Sequence, residues 1–148
     1  MHRPWDMSLG RFSRSVVTCS PDELVTVAAG KLRDHRVGCV VVERDGKPFG
    51  ILTDRDVAIR IVAGGLDART TKVSDVATLD PVVVRDLEGV ETAARRMREY
   101  GVRRLPVVDE EGKLRGIITA DDLVRVLGRE LGDLAEGFDA SADSTDAR

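Results

Sequence analysis

The sequence predicts an α/β (α+β) fold of two pseudo-twofold-related β-α-β-β-α repeats, packed sheet to sheet with the helices outside. Three observations carry this. The segment Gly50-Ile51-Leu52-Thr53-Asp54-Arg55-Asp56-Val57 returns 66 residues later as Gly116-Ile117-Ile118-Thr119-Ala120-Asp121-Asp122-Leu123. Upstream of each copy an apolar pattern keeps helical spacing: Leu24, Val27, Ala28 and Leu32 are answered about 65 residues on by Val90, Ala93, Ala94 and Met97. Between helix and motif each copy holds two short β-rich runs joined by a turn signal. A duplication of this length points to a paired binding module more readily than to an enzyme with one active site.

The elements follow in order. Ser20-Pro21-Asp22-Glu23 gives the first helix a start near Pro21, since Ser can cap free N–H groups, Pro suits the first helical position and Glu sits where a capping box places it. Cys39-Val40-Val41-Val42 and Ile51-Leu52 read as strands around the turn Asp45-Gly46-Lys47-Pro48, and Leu105-Pro106-Val107-Val108 and Ile117-Ile118 repeat them around Glu111-Gly112-Lys113. The second turn is one residue longer, which moves the register from 65 to 66. Val57, Ala58, Ile61 and Val62 form an apolar helical stripe, as do Leu123, Val124 and Leu127, and Gly64-Gly65 and Gly128 stand where each helix is expected to stop.

Neither copy can bury both faces of a three-stranded sheet alone, so the two are expected to pack on each other. The predicted organisation is an N-terminal arm over residues 1–14, repeat 1 over 15–69, linker and repeat 2 over 70–131, and an acidic flexible tail over 132–148. The tail assignment rests on Asp133, Glu136, Asp139, Asp143 and Asp146 among Ala, Ser and Gly.

Composition removes several function classes. With 148 residues the chain buries roughly two thirds of its unfolded surface without staples. Aromatics at 3% leave no stacking platform for single-stranded nucleic acid, and a formal charge of -3 gives no global pull toward DNA or an anionic membrane. No apolar run reaches the ~20 residues of a bilayer span, and Met1-His2-Arg3-Pro4-Trp5-Asp6 lacks the apolar stretch of a signal peptide, so the expected address is the cytoplasm. Cys19 and Cys39 belong to no metal-binding spacing and read as buried, reduced thiols.

The repeated Thr-x-x-Asp has two readings. Before an apolar helical run it is a capping box. It also sets a carboxylate that can accept hydrogen bonds from paired hydroxyls, as on a ribose, beside a Thr hydroxyl and first-turn N–H groups that can face a polar ligand. Both can hold at once. Context favours a ligand role, because a Gly, two apolar strand residues and Thr-x-x-Asp at a helix start occur twice at matching places.

These motifs, with the lead-in Val73-Ser74-Asp75-Val76 before Asp80-Pro81-Val82, resemble a stand-alone tandem pair of CBS domains, the repeats named after cystathionine beta-synthase, over roughly residues 15–131. The resemblance implies a regulatory pair that binds an adenosyl ligand (AMP, ADP or ATP, with S-adenosylmethionine or NAD as alternatives) between its repeats, and a homodimer forming a disc of four repeats. It implies that Asp122 and Thr119 work with Thr18, Val37, Gly38 and Cys39, and that Asp56 and Thr53 work with Val83, Val102 and Arg103. Arg103-Arg104, just before the Leu-Pro-Val strand, stand where the family often places phosphate ligands, and Arg side chains suit bidentate phosphate contacts. Repeat 1 has Gly38-Cys39 there, so the Asp122 cleft with Arg103 and Arg104 ranks first, and Arg55, ahead of Arg60, is the expected source of positive charge for the Asp56 cleft.

No catalytic constellation is legible. His2 lies in the arm and His35 ends a helix beside Arg36, where a surface cation is the simpler role. Asp54/Asp56 and Asp121/Asp122 have no His or further carboxylate near them in sequence, and Asp54 is matched by Ala120. No cofactor is required, and magnesium would arrive only with a nucleotide. The regulated partner is unnamed by the sequence. The rival readings are an interaction scaffold in which the motifs survive as caps, and a hydrolase using the acids around Asp121.

Overall fold

The computed structural model describes residues 8–145. Its elements are α1 (Leu9–Phe12), β1 (Thr18–Cys19), α2 (Val25–His35), β2 (Cys39–Arg44), β3 (Lys47–Thr53), α3 (Asp54–Asp56) continuing as π-helical turns over Val57–Val62, α4 (Val73–Val76), β4 (Thr78–Leu79), β5 (Val84–Arg85), α5 (Val90–Tyr100), β6 (Arg104–Val108), β7 (Leu114–Thr119) and α6 (Ala120–Thr145). They form two sheets, β1-β2-β3-β4 and β5-β6-β7, in which the outer strands β1 and β5 run parallel to β2 and β6. The mixed α/β architecture and the duplication match the sequence reading.

Side-chain alternation explains the layering. Val40 and Val42 of β2 join Val25, Ala28 and Leu32 of α2 in the core of repeat 1, while Cys39 and Val41 point the other way. Those two meet Ile117 of β7 in a separate cluster with Val16, Ile51 and Leu114, which is the contact between the sheets. Leu105, Val107 and Ile118 pack beneath α5 in repeat 2. A strand covered on both faces reads as a continuous apolar run, as Cys39–Val42 does. Leu52 and Leu105 are fully buried, and truncating either to Ala costs about 2–5 kcal/mol.

The hairpin between β2 and β3 turns through Asp45 and Gly46, both at positive φ, the conformation a two-residue primed turn demands. The longer turn of repeat 2 is held by the Asp109 carboxylate, which accepts from the backbone N–H of Glu111 and Lys113 at 2.9 Å each. The two tips are joined: Lys113 Nζ donates to the Asp45 carbonyl at 2.7 Å, and the Leu114 N–H donates to the Gly46 carbonyl at 2.8 Å.

Four expectations are corrected. First, α2 begins at Val25 and not near Pro21. Leu24 is held extended by a bridge to Lys72, so Ser20 and Glu23 close a turn ahead of the helix, with the Ser20 N–H donating to Glu23 Oε2 at 2.9 Å. Second, residues 8–14 are no free arm. Leu9 is fully buried in the repeat 2 core, Ser8 bridges to Gly89 and Arg14 bridges to Ile117. This mirrors repeat 1, where α4 and β4 supply Val73, Val76 and the β3 partner Thr78. Each repeat is thus completed by a segment from outside its own stretch of chain. Residues 1–7, and with them His2 and the start used for the cytoplasmic expectation, lie outside the described residues.

Third, the turns at Val57–Val62 carry i→i+5 bonds, with the Ala63 N–H donating to the Ala58 carbonyl at 3.0 Å. The wider winding turns Ile61 inward and leaves Val62 exposed, so the expected stripe is only partly buried. Fourth, α6 does not stop at Gly128, and the segment expected as a flexible acidic tail from residue 132 is helical through Thr145. No proline follows Pro106, and a helix-interior glycine costs only about 1 kcal/mol relative to Ala. On α6 it is Leu123 and Val126 that are buried, while Val124 and Leu127 face outward. No helix among the described residues is long and apolar enough to cross a membrane.

Candidate functional site

Both Thr-x-x-Asp motifs sit where a strand ends and a helix begins, and both are complete capping boxes. Thr53 Oγ1 accepts from the Asp56 N–H at 3.1 Å while Asp56 Oδ2 accepts from the Thr53 N–H at 3.0 Å. In repeat 2 the matching distances are 3.2 and 3.0 Å, and Thr119 Oγ1 also donates to Asp122 Oδ2 at 2.9 Å. The box therefore uses Oδ2 of each acid and leaves Oδ1 for something else. The cap and ligand readings are compatible.

The repeated glycine has its own cause. A Cβ on Gly116 would stand 2.6 Å from the Arg14 carbonyl oxygen, and one on Gly50 would stand 3.0 Å from that of Thr78. These are the backbones of the two completing segments, so glycine is there for close approach.

Two clefts open between the repeats. The first, about 270 Å³, takes Val16, Val37, Gly38 and Cys39 from repeat 1, Thr119 and Asp121 from repeat 2, and a cluster of guanidiniums from Arg14, Arg36, Arg104 and Arg125. The second, about 190 Å³, takes Ile51, Thr53, Asp56 and Thr78 from repeat 1 and Val102, Arg103 and Arg104 from repeat 2. In both clefts the Thr of one repeat's motif faces the helix-to-strand segment of the other, and Asp56 lines its cleft, but Asp122 does not line the first one: it sits in a neighbouring hollow with Arg11, Phe12, Arg14, Arg125 and Arg129. Arg104 reaches both clefts, and Gly38 makes room for it, since a Cβ there would lie 3.3 Å from the Arg104 guanidinium.

Several expected residues fall elsewhere. Thr18 and Val83 line neither cleft; their carbonyls accept from Lys31 Nζ at 2.9 Å and from Arg96 Nη1 at 2.8 Å. Those cations also bind Glu23 and Glu88, an arrangement repeated in both halves. Arg55 is exposed and lines neither cleft, while Arg60 donates to the Val76 carbonyl at 2.6 Å. The positive charge of the Asp56 cleft comes from Arg103 and Arg104 instead. Grouping both arginines with Asp122 is corrected accordingly: Arg103 faces the other cleft, and its guanidinium stands 3.5 Å from Asp121.

The two acids differ in what holds their remaining oxygen. Asp122 is the one buried charged side chain among the described residues, 5% exposed, and its Oδ1 takes the Arg14 guanidinium at 2.5 Å with Arg125 at 3.8 Å. Asp56 Oδ1 has only Arg60, at 3.8 Å. Arg14 therefore stands over Asp122, whereas Asp56 opens into its cleft. Arg14 and Arg36 were missed by sequence reasoning. Continuing the repeat alignment upstream would have found Arg14, since Leu9 and Phe12 keep the spacing of Val73 and Val76. Arg36 sits at φ 53 where repeat 2 has Gly101, a left-handed helix end that is costly for a side chain. Burial pushes the Cys39 thiol upward and that of Cys19 up to about 11, so both are poor nucleophiles.

Chemically, each cleft gathers a carboxylate, a hydroxyl and guanidiniums, and in the Asp56 cleft the acid and hydroxyl come from one repeat and the guanidiniums from the other. Such a site suits a molecule with paired hydroxyls and an anionic group.

The comparisons with known proteins agree with this architecture. The CBS domain model matches residues 9–63 and 73–129. An uncharacterised protein of Methanopyrus kandleri is 37% identical over 123 residues, covering 81% of this chain and 62% of that protein, so the chain spans less than two thirds of that relative. The CBS domain-containing protein YhcV of Bacillus subtilis is 38% identical over 108 residues, covering 73% of this chain and 76% of the relative. Among solved structures, a CBS domain protein of Pyrobaculum aerophilum complexed with AMP superposes with a TM-score of 0.71 at 27% identity, covering 78% of this chain and 88% of that one.

Proposed function

Because the chain belongs to the CBS domain family and carries two of its domains in tandem, we propose that it is a non-catalytic regulatory module that binds an adenosyl ligand, AMP, ADP or ATP foremost, between its repeats. It acts in the cytoplasm as a homodimer and passes nucleotide level to a separate protein. The observation that carries this reading is the Asp56 cleft, where a carboxylate oxygen left over by the capping box faces Arg103 and Arg104 of the other repeat. The ribose hydroxyls would be held by Asp56 and Thr53, and the phosphate by the two arginines. The AMP complex of the Pyrobaculum relative supports the ligand class.

The cleft of Thr119 and Asp121 ranks second, because Asp122 lies outside its lining with the Arg14 guanidinium on its Oδ1, so a ligand there reaches this acid only by displacing Arg14. That reverses the order the sequence suggested. Each cleft joins both repeats, so a ligand can alter the angle or rigidity between them, but only by its differential affinity for the two states. Thermal melts with AMP, ADP, ATP, S-adenosylmethionine and NADH test the reading. A binding ligand raises stability by about 2.7 kcal/mol at 100 times its dissociation constant. Asp56→Ala is expected to remove more of this gain than Asp122→Ala. If no ligand at millimolar concentration moves the melt, the proposal fails, and the opposite order of the two variants overturns the ranking.

A further inference from the structure

From residue 127 to residue 140 every position of α6 is exposed, so this stretch stands clear of the body on all sides. Along it Val124, Leu127, Leu131, Leu134 and Phe138 recur at alternating steps of three and four, and each is 48–72% exposed. That is the a/d seam of a helix pair. Leu131, Leu134 and Phe138 lie beyond the stretch matched by the family, which ends at residue 129.

The residues beside the seam say what covers it. Gly128, Gly132 and Ala135 line one flank, and a Cβ on either glycine would meet nothing of this chain. Glycine in a helix is disfavoured against alanine, and nothing within the chain requires it here. A second helix in close approach does. On the same flank Arg125 stands near one end of the seam and Asp139 near the other. An antiparallel partner of the same sequence sets each Arg125 beside the other copy's Asp139 across the low glycine shoulder. A parallel partner turns opposite flanks together and forms no Arg125–Asp139 pair.

We propose that α6 pairs with α6 of a second copy, antiparallel, through the seam from Val124 to Phe138, with Leu131 near its centre. This rests on the homodimer reading above and adds to it the surface and the direction. A helix this free of its own domain is marginal alone, so the pairing also accounts for its order.

The test uses the full-length chain. In sedimentation equilibrium, wild type is expected at twice the chain mass, and Leu131→Asp combined with Leu134→Asp at the chain mass, with association weakened at least a hundredfold. A monomeric wild type overturns the homodimer and the seam together; a dimeric double variant overturns the seam alone. Gly132→Ala is expected to raise helix content and yet weaken association, and unchanged or tighter association refutes close approach. Direction is read by oxidative cross-linking, since Cys19 and Cys39 are buried. Leu131→Cys is expected to link to itself, and Phe138→Cys only when mixed with Val124→Cys. Self-linking of Phe138→Cys at the rate of Leu131→Cys overturns the antiparallel arrangement.

Discussion

The contact between Arg14 and Asp122 joins the N-terminal segment to the second motif, and its strength can be worked from the structure. Hydrogen bonds to charged groups contribute about 1.5–3 kcal/mol. The Arg14 side chain is 58% exposed, so solvent screening lowers the figure, while the 5% exposure of Asp122 keeps it above that of a surface pair. A coupling of about 1–2 kcal/mol is expected. Asp122→Ala also loses its capping box, worth about 1 kcal/mol, for a total near 2–3 kcal/mol. At ~2–4 °C per kcal/mol for a chain of this size, the midpoint should fall by about 4–12 °C. The assay is a double-mutant cycle of Arg14→Ala and Asp122→Ala by urea denaturation without ligand. The cycle cancels the cap and isolates the pair. Asp56 with Arg60 is the internal control, since an i,i+4 pair at 3.8 Å is worth about 0.3–0.5 kcal/mol. A coupling below about 0.3 kcal/mol for Arg14 and Asp122 would refute the reasoning, because independent sites add to that precision.

Two further outcomes follow from the geometry. Gly116→Ala should destabilise by about 1–3 kcal/mol, and by more than Gly50→Ala, because its new methyl meets a carbonyl oxygen at 2.6 Å and not 3.0 Å; equal denaturation midpoints would contradict the close approach. For Glu88, burial pushes the carboxyl upward, but its bonds from the Arg96 guanidinium and the Arg85 N–H outweigh this and hold it below the ordinary value of 4.5. A depressed folded value means the contribution is complete above the unfolded value and is lost as pH falls through the folded one. Glu88→Gln should therefore be less stable than wild type at pH 7, and the gap should close as pH falls through the depressed folded value. A gap that stays constant with pH would remove Glu88 from the acid response.

The duplication, the sheet strands and the two capping boxes were legible because each depends on local pattern: alternation in β2, turn chemistry at Asp45-Gly46, and Thr-x-x-Asp at a helix start. What escaped depends on distant chain. The start of α2 is set by the pairing of Leu24 with Lys72, which no local propensity encodes. Arg14 reaches Asp122 because residues 8–14 cross into the second repeat, and an arm of seven residues is too short to show its periodicity alone. The sharing of arginines between the clefts turned on which way adjacent side chains point. Arg103 and Arg104 are neighbours in sequence, yet only Arg104 lines both clefts. The persistence of α6 past Gly128 was hidden by glycines that suggest a stop when read one helix at a time.

The exchange of completing segments has a consequence for how the chain is made. Synthesis runs from the N-terminus, and the first repeat receives α4 and β4 as soon as residues 73–79 emerge. Leu9 and Phe12, made earlier, have no seat until β7 and the core around Val84, Leu105 and Ile118 exist. The earliest apolar residues to leave the ribosome in this segment are therefore among the last to be buried. A tether or fusion that restrains residues 8–14 should arrest assembly at a half-closed chain, with a folded front half and a back half still exposing one edge.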